Sequence, residues 1–163
     1  MSASRPIVGA VYRNDYAALD ELLATQDING RDQDGTTPLM HAILADPPYP
    51  EMITYLLDRG ADVNAADEAG WTPLHFAARD QNARIVQMLL EHGAAVDRVD
   101  DSGSTPLWQC VNSTYPVDST VVDLLLACGA DPRRKHKHNY SPIDLARAKR
   151  NVDLVDRLER AAR

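Results

Sequence analysis

The sequence predicts an all-α fold, a solenoid of about five helix-turn-helix units with short β-turn or hairpin projections between them. Three observations carry the prediction. A Thr/Ser-Pro-aliphatic triplet recurs at Thr37-Pro38-Leu39, Thr72-Pro73-Leu74, Thr105-Pro106-Leu107 and Ser141-Pro142-Ile143, at spacings of 35, 33 and 36 residues. Glycines keep step with it at Gly60, Gly93 and Gly129, each followed by Ala. Between triplet and glycine the apolar residues fall at helical spacing. Units this short cannot bury their apolar faces alone and need copies of themselves on either side.

The stretch from Asp67 to Asp97 is the archetype. Gly70 marks a turn, and Thr72-Pro73 is a helix start. The hydroxyl can cap an orphan N–H, and Pro at the first helical position loses only a donor that had no partner. Leu74, Ala77 and Ala78 share one face of the first helix. After Asp80-Gln81-Asn82, Ile85, Val86, Met88, Leu89 and Leu90 line a second helix, and Gly93 supplies the left-handed stop.

A period near 33 with Thr72-Pro73-Leu74-His75-Phe76-Ala77 at its centre resembles the ankyrin repeat family. The resemblance covers essentially the whole chain. It divides residues 1–163, as one domain, into an N-terminal capping repeat 1–31, repeats 32–66, 67–99 and 100–135, and a C-terminal capping repeat 136–163. It implies a structural role for His75, tying neighbouring turns together.

Taken in order, residues 1–6 read as a loose tail. Val8, Val11, Leu19, Leu22 and Leu23 are available to face inward from two short helices, without the Thr-Pro-Leu start. The second unit places Met40 where the family's histidine stands, leaving that hydrogen bonding in doubt. Its inter-helix connection, two residues longer than the third unit's, carries Pro47, Pro48 and Pro50. That proline density predicts a stiff projecting loop over Pro47 to Pro50. The fourth unit puts Trp108 and Gln109 in place of His75 and Phe76, and its connection is three residues longer than the third unit's. The last unit ends in a polar helix suited to a cap.

Composition narrows the function. No apolar run approaches the ~20 residues that span a bilayer, and the N-terminus lacks a signal-peptide pattern. The two cysteines read as reduced thiols used as small apolar residues, Cys110 standing where the archetype has Ala77. A cytoplasmic location is the expectation. Residues 1–130 carry 7 basic and 19 acidic side chains, a local charge of −12, while residues 131–163 carry 10 and 5, giving +5. The acidic body favours a partner protein with a basic surface over nucleic acid or membrane. The basic run Arg133 to His138 favours an acidic partner patch or internal charge balance. His136 and His138 lack the companions of a metal site, so neither metal nor cofactor is expected. No phosphate-cradling loop, nucleophile motif or zinc-protease motif is present, and no enzyme activity is expected.

The resemblance implies that a partner protein is bound through the turn tips and first helices on a concave face. Carried onto this chain, those positions are Gln33, Asp34, Thr36, Leu44 and Ala45 in the second unit, and Glu68, Ala69, Trp71, Arg79 and Asp80 in the third. In the fourth they are Asp101, Ser102, Ser104, Asn112 and Ser113, with Tyr140 and Lys149 in the last. Trp71 and Tyr140 are aromatic anchors by chemistry. Both extended connections contain Tyr-Pro, at Tyr49-Pro50 and Tyr115-Pro116. They read either as rigid projections that grip a partner or as surface insertions whose tyrosines pack back on their own helices. The polar caps suit a monomer. The expected function is a non-catalytic adaptor or regulator. The alternative is a bacterial immunity protein that neutralises a basic toxin by tight steric blocking.

Overall fold

A computed structural model describes residues 5–163 of the chain. Of the expected loose tail, residues 1–4 lie outside the described part, whereas Arg5 and Pro6 open the first helix. Ten helices and no strands occur among the described residues. The fold is an all-α repeat solenoid. Its contacts form two compact units that divide between Pro73 and Leu74.

The first unit holds α1 (Arg5–Tyr12), α2 (Tyr16–Leu23), α3 (Pro38–Leu44) and α4 (Pro50–Asp58). α1 packs on α2 and α3, and α3 packs on α4. Ile7, Ala10, Val11 and Leu19 are fully buried in the N-terminal repeat, as are Met40, Met52, Ile53 and Leu56 in the next. Val8, Leu22 and Leu23, expected inside, are only half-buried. Thr37 caps α3 by accepting from the Met40 N–H, with Pro38 behind it. Pro50 does not belong to the loop expected over Pro47 to Pro50. It is the first residue of α4, where its missing N–H costs nothing, and Tyr49 precedes it without a side-chain cap.

The second unit contains the rest of α5 (Pro73–Arg79), then α6 (Ala83–Glu91), α7 (Pro106–Asn112), α8 (Ser119–Ala127), α9 (Pro142–Ala148) and α10 (Val152–Ala161). α6 packs on α8, α7 on α8 and α9, and α9 on α10. Leu74, Ala77, Ala78, Ile85, Val86 and Leu89 form the core of the archetypal repeat. Thr105 caps α7, and Ser141 and Asp144 form a reciprocal capping box on α9. Cys110 is buried as expected, but Cys128 is exposed at the end of α8 rather than packed.

Two kinds of turn space these helices. Where the connection is short, a left-handed residue precedes an Asx cap: Asn14-Asp15, Gln81-Asn82 and Arg150-Asn151. The two longer connections lack the left-handed residue: Tyr49 precedes α4 without a side-chain cap, whereas Asp118 still caps α8 by accepting from the Thr120 N–H. At the tips, each turn closes on itself, as in Asp32 N–H to Thr36 O at 3.1 Å and Asp100 N–H to Ser104 O at 3.0 Å. Neighbouring tips are then joined by Glu68 N–H to Asp34 O at 3.1 Å in the first unit and Lys137 N–H to Ser102 O at 2.9 Å in the second. The projections are hydrogen-bonded turns, not strands. Gly35 is required by this joint: its φ is +75°, and an added Cβ would stand 2.8 Å from the Glu68 nitrogen.

Candidate functional site

The residues singled out from the sequence fall on turn tips, first helices and the two long connections. On the first unit, Asp34 and Glu68 are exposed side chains of adjoining tips. Trp71 is half-buried and its backbone closes the tip, its N–H donating to Asp67 Oδ1 at 2.8 Å and its carbonyl accepting from the Asp67 N–H at 2.9 Å. Leu44 is 36% exposed, whereas Ala45 beside it is buried.

The Tyr49 connection turns back on its unit. The Tyr49 N–H donates to Ala42 O at 3.2 Å, and its hydroxyl donates to Tyr12 O at 3.4 Å, leaving the ring half-buried. Tyr12 in turn lies edge-on to His41 at 5.7 Å, with its hydroxyl 3.1 Å from Nδ1. His41 Nε2 is 2.8 Å from Asp32 Oδ2. The hydrogen bonding in doubt at Met40 is therefore made one residue later: Met40 is wholly buried, and His41 fastens helix to tip. Burial pushes the Asp32 carboxyl up, but hydrogen bonds from the Thr36 N–H, His41 and the Asp34 N–H more than offset it and leave the carboxyl below its ordinary value.

On the second unit, His75 is fully buried and its Nε2 donates to the Ser104 carbonyl of the next repeat at 3.1 Å. In the fourth repeat Gln109 takes the part His41 plays in the second, its Nε2 donating to Asp100 Oδ2 at 2.9 Å. Arg79 is spent on its neighbour, with Nε and Nη2 donating to the two Asp80 oxygens at 2.7 and 2.9 Å. Ser104 and Ser113, expected on the accessible face, are buried because their polar groups hold the scaffold. Asp101, Asn112 and Tyr140 are exposed, Tyr140 to 55%.

The Tyr115 connection is fastened from several sides. Ser113 Oγ donates to Arg79 O at 2.6 Å and accepts from the Tyr115 N–H at 3.0 Å. Gln81 Nε2 donates to Cys110 O at 2.8 Å, while its Oε1 accepts from the Asp118 N–H at 2.8 Å. From the other side, Lys149 Nζ donates to Val111 O at 2.7 Å and Ser113 O at 3.2 Å. Both ends of the loop are thus tied down, yet the Tyr115 ring is 57% exposed. Beneath it the Cys110 thiol is pushed up to about 12, by burial first, despite its contact with Gln81.

Sequence reasoning missed one cluster. Trp108 stacks on His136 with ring centroids 4.6 Å apart, and His138 and Tyr140 lie 5.3 and 6.2 Å from the His136 ring. The signal was available as paired departures: Trp108 replaces the repeat's histidine, and His136 replaces the aspartate that opens the other tips.

The helices, tips and caps repeat in register along the chain, and a profile for ankyrin repeats in three copies matches residues 5–67 and 47–136. The chain belongs to the ankyrin-repeat family. It is 36% identical over 89 residues to inversin from Gallus gallus, which covers 53% of this chain and 8% of inversin. It is 35% identical over 132 residues to the human B-cell lymphoma 3 protein, covering 80% of this chain and 28% of that protein. The mouse homologue of the latter is 34% identical over 130 residues. The chain thus spans a minor part of the relatives it matches. Ankyrin repeats are protein–protein interaction modules, and the family is in general non-catalytic. No helix among the described residues is long and apolar enough to cross a membrane.

Proposed function

We propose that this ankyrin-repeat chain is a non-catalytic recognition module, an adaptor or regulator that binds a partner protein through its tips, first helices and Tyr-Pro connections. The single observation that carries this reading is the Tyr115 loop. Its ends are fastened by Gln81, Ser113 and Lys149, so little loop entropy remains to be lost on binding, while an amphipathic ring stands in solvent. On the same unit Asp101, Asn112 and Tyr140 are further contact residues, with Arg79 and Asp80 as a pre-formed pair, and on the first unit, taken by itself, Asp34, Glu68 and Trp71 are contact residues. Tyr49 contributes less free ring than Tyr115, because its hydroxyl is engaged on Tyr12.

The partner surface is basic, matching the −12 of residues 1–130. The same charge supports a second reading, in which the chain is an immunity protein blocking a basic toxin. One very tight partner separates that role from an adaptor with several weak ones. The chain acts as a cytoplasmic monomer, independently of nucleic acid and membrane.

A photo-crosslinking side chain placed at Tyr115, and separately at Val152, tests the surface. Val152 is 77% exposed on the opening turn of α10, a second helix, and is not among the expected partner-binding residues. The reading expects a discrete protein adduct from Tyr115 and none from Val152. Adducts from Val152 alone would overturn it.

A further inference from the structure

The basic residues from Arg133 onward differ in what they pair with, Lys149 being bound to the Val111 and Ser113 carbonyls. Arg147 pairs with Glu159 at 2.5 Å, Arg157 with Asp123 and Arg160 with Asp156, so these are balanced within the chain. Arg133, Arg134, Lys135, Lys137 and Arg163 make no ion pair among the described residues. Internal charge balance therefore accounts for α9 and α10 but not for the turn that precedes them.

Two of these turn residues, Arg133 and Lys135, converge. A concavity of about 430 Å³ lies over the last repeat, lined by Arg133, Lys135, Arg147 and Arg163 together with Asp144 and Glu159. Its carboxylates are already engaged. Glu159 is held by Arg147, and Asp144 accepts from the Ser141 N–H at 3.0 Å and the Ser141 hydroxyl at 2.7 Å. Arg133, Lys135 and Arg163 bring surplus positive charge to the opening, Lys135 also lying close enough to Asp144 to help lower that carboxyl, beside the apolar surface of Ile143 and Ala162. The turn that presents the first two is fixed by Lys137 N–H to Ser102 O at 2.9 Å and by the stacking of His136 on Trp108. The backbone that carries these two residues is thus fixed before any ligand arrives.

We infer that this concavity is a second interaction site, which takes a short acidic segment of a protein. Its cations outnumber its carboxylates, Arg133, Lys135, Arg147 and Arg163 against Asp144 and Glu159, and a cleft with such a surplus concentrates ligands of the opposite sign. A volume of this size admits a few side chains. An extended polyanion such as a nucleic acid would have to run past the acidic remainder of the chain, −12 over residues 1–130, whereas a short Asp/Glu segment need not. The inference rests on the chain being a protein-binding module, but its residues are separate from Trp71, Tyr49 and Tyr115. Failure at one surface leaves the other standing.

Fluorescence anisotropy with a labelled oligoglutamate peptide tests the site, against a neutral Gly/Ser peptide and a single-stranded oligonucleotide of matched charge. The protein is used as wild type, as Arg133→Glu/Lys135→Glu, and as Arg134→Gln/Lys137→Gln, whose positions do not line the concavity. Arg133→Gln/Lys135→Gln serves where charge reversal disturbs folding, as judged by circular dichroism. The expected result is salt-sensitive peptide binding, weakened roughly tenfold by the cleft variants and little by the control pair. Peptide binding no better than the neutral peptide, equal losses from both pairs of positions, or tighter binding of the oligonucleotide would each overturn the proposal.

Discussion

The Gln81 side chain accepts the Asp118 N–H at 2.8 Å and, through its amide nitrogen, donates to the Cys110 carbonyl at 2.8 Å. One residue, itself in a left-handed conformation at φ 57°, thereby fastens a loop that begins 32 positions further along the chain, at Ser113. Gln81→Asn keeps a residue that tolerates that conformation but shortens the reach. We expect a loss of roughly 1–3 kcal/mol, the cost of leaving partly buried backbone groups unmatched. Urea denaturation should report it, with faster hydrogen exchange at the Asp118 amide.

Little of this could be read from local sequence. The Thr-Pro-Leu starts and closing glycines were legible because helix caps are local chemistry, decided within four residues. The connection lengths were legible for the same reason. Gln81 was not, since its partners lie 29 and 37 residues away. Met40 signalled a lost histidine contact, but only the structure shows His41 recovering it against Asp32. Pro50 was read as loop because proline forbids a helix interior, although it is favoured at a first helical position. Of the candidate surface, exposure at Tyr115 and Tyr140 followed from their placement in turns, while burial of Ala45, Ser104 and Ser113 came from contacts between repeats.

Crowding and backbone strain can be separated at two glycines of the first unit. Gly60→Ala meets nothing within 4 Å and suffers only from its φ of +88°. It should cost about 1 kcal/mol. Gly35→Ala adds a 2.8 Å approach to the Glu68 nitrogen and should cost about 2 kcal/mol or more, since the tip-to-tip hydrogen bond must give way. Equal effects in thermal melts would show that the joint between tips is slack.

Acid should weaken the last repeat through Asp144. Hydrogen bonds from the Ser141 N–H and then its hydroxyl hold that carboxyl below its ordinary value. A folded-state pKa below the unfolded one adds stability that is complete above the unfolded value, and that stability is lost as pH falls through the depressed folded value. Asp144→Asn should flatten the decline in stability from neutral to acidic pH, relative to wild type, in denaturant titrations at stepped pH.

The two thiols should differ sharply. Cys110 is buried, with its thiol pushed up to about 12, while Cys128 is exposed. Alkylation near pH 8 should therefore add one label to the folded protein, at Cys128, and two after unfolding. Mass spectrometry of the intact chain and its peptides would show this. Labelling of Cys110 in the folded protein would mean that the base of the Tyr115 loop opens.

The most direct test of the recognition surface is quantitative partner capture by wild type and by Trp71→Ala/Tyr49→Ala/Tyr115→Ala side by side. The variant is expected to keep its helical spectrum and cooperative melt but to lose a protein retained stoichiometrically by the wild type. Equal retention by both would place recognition elsewhere on the chain, and collapse of the variant's fold would make these aromatic side chains structural.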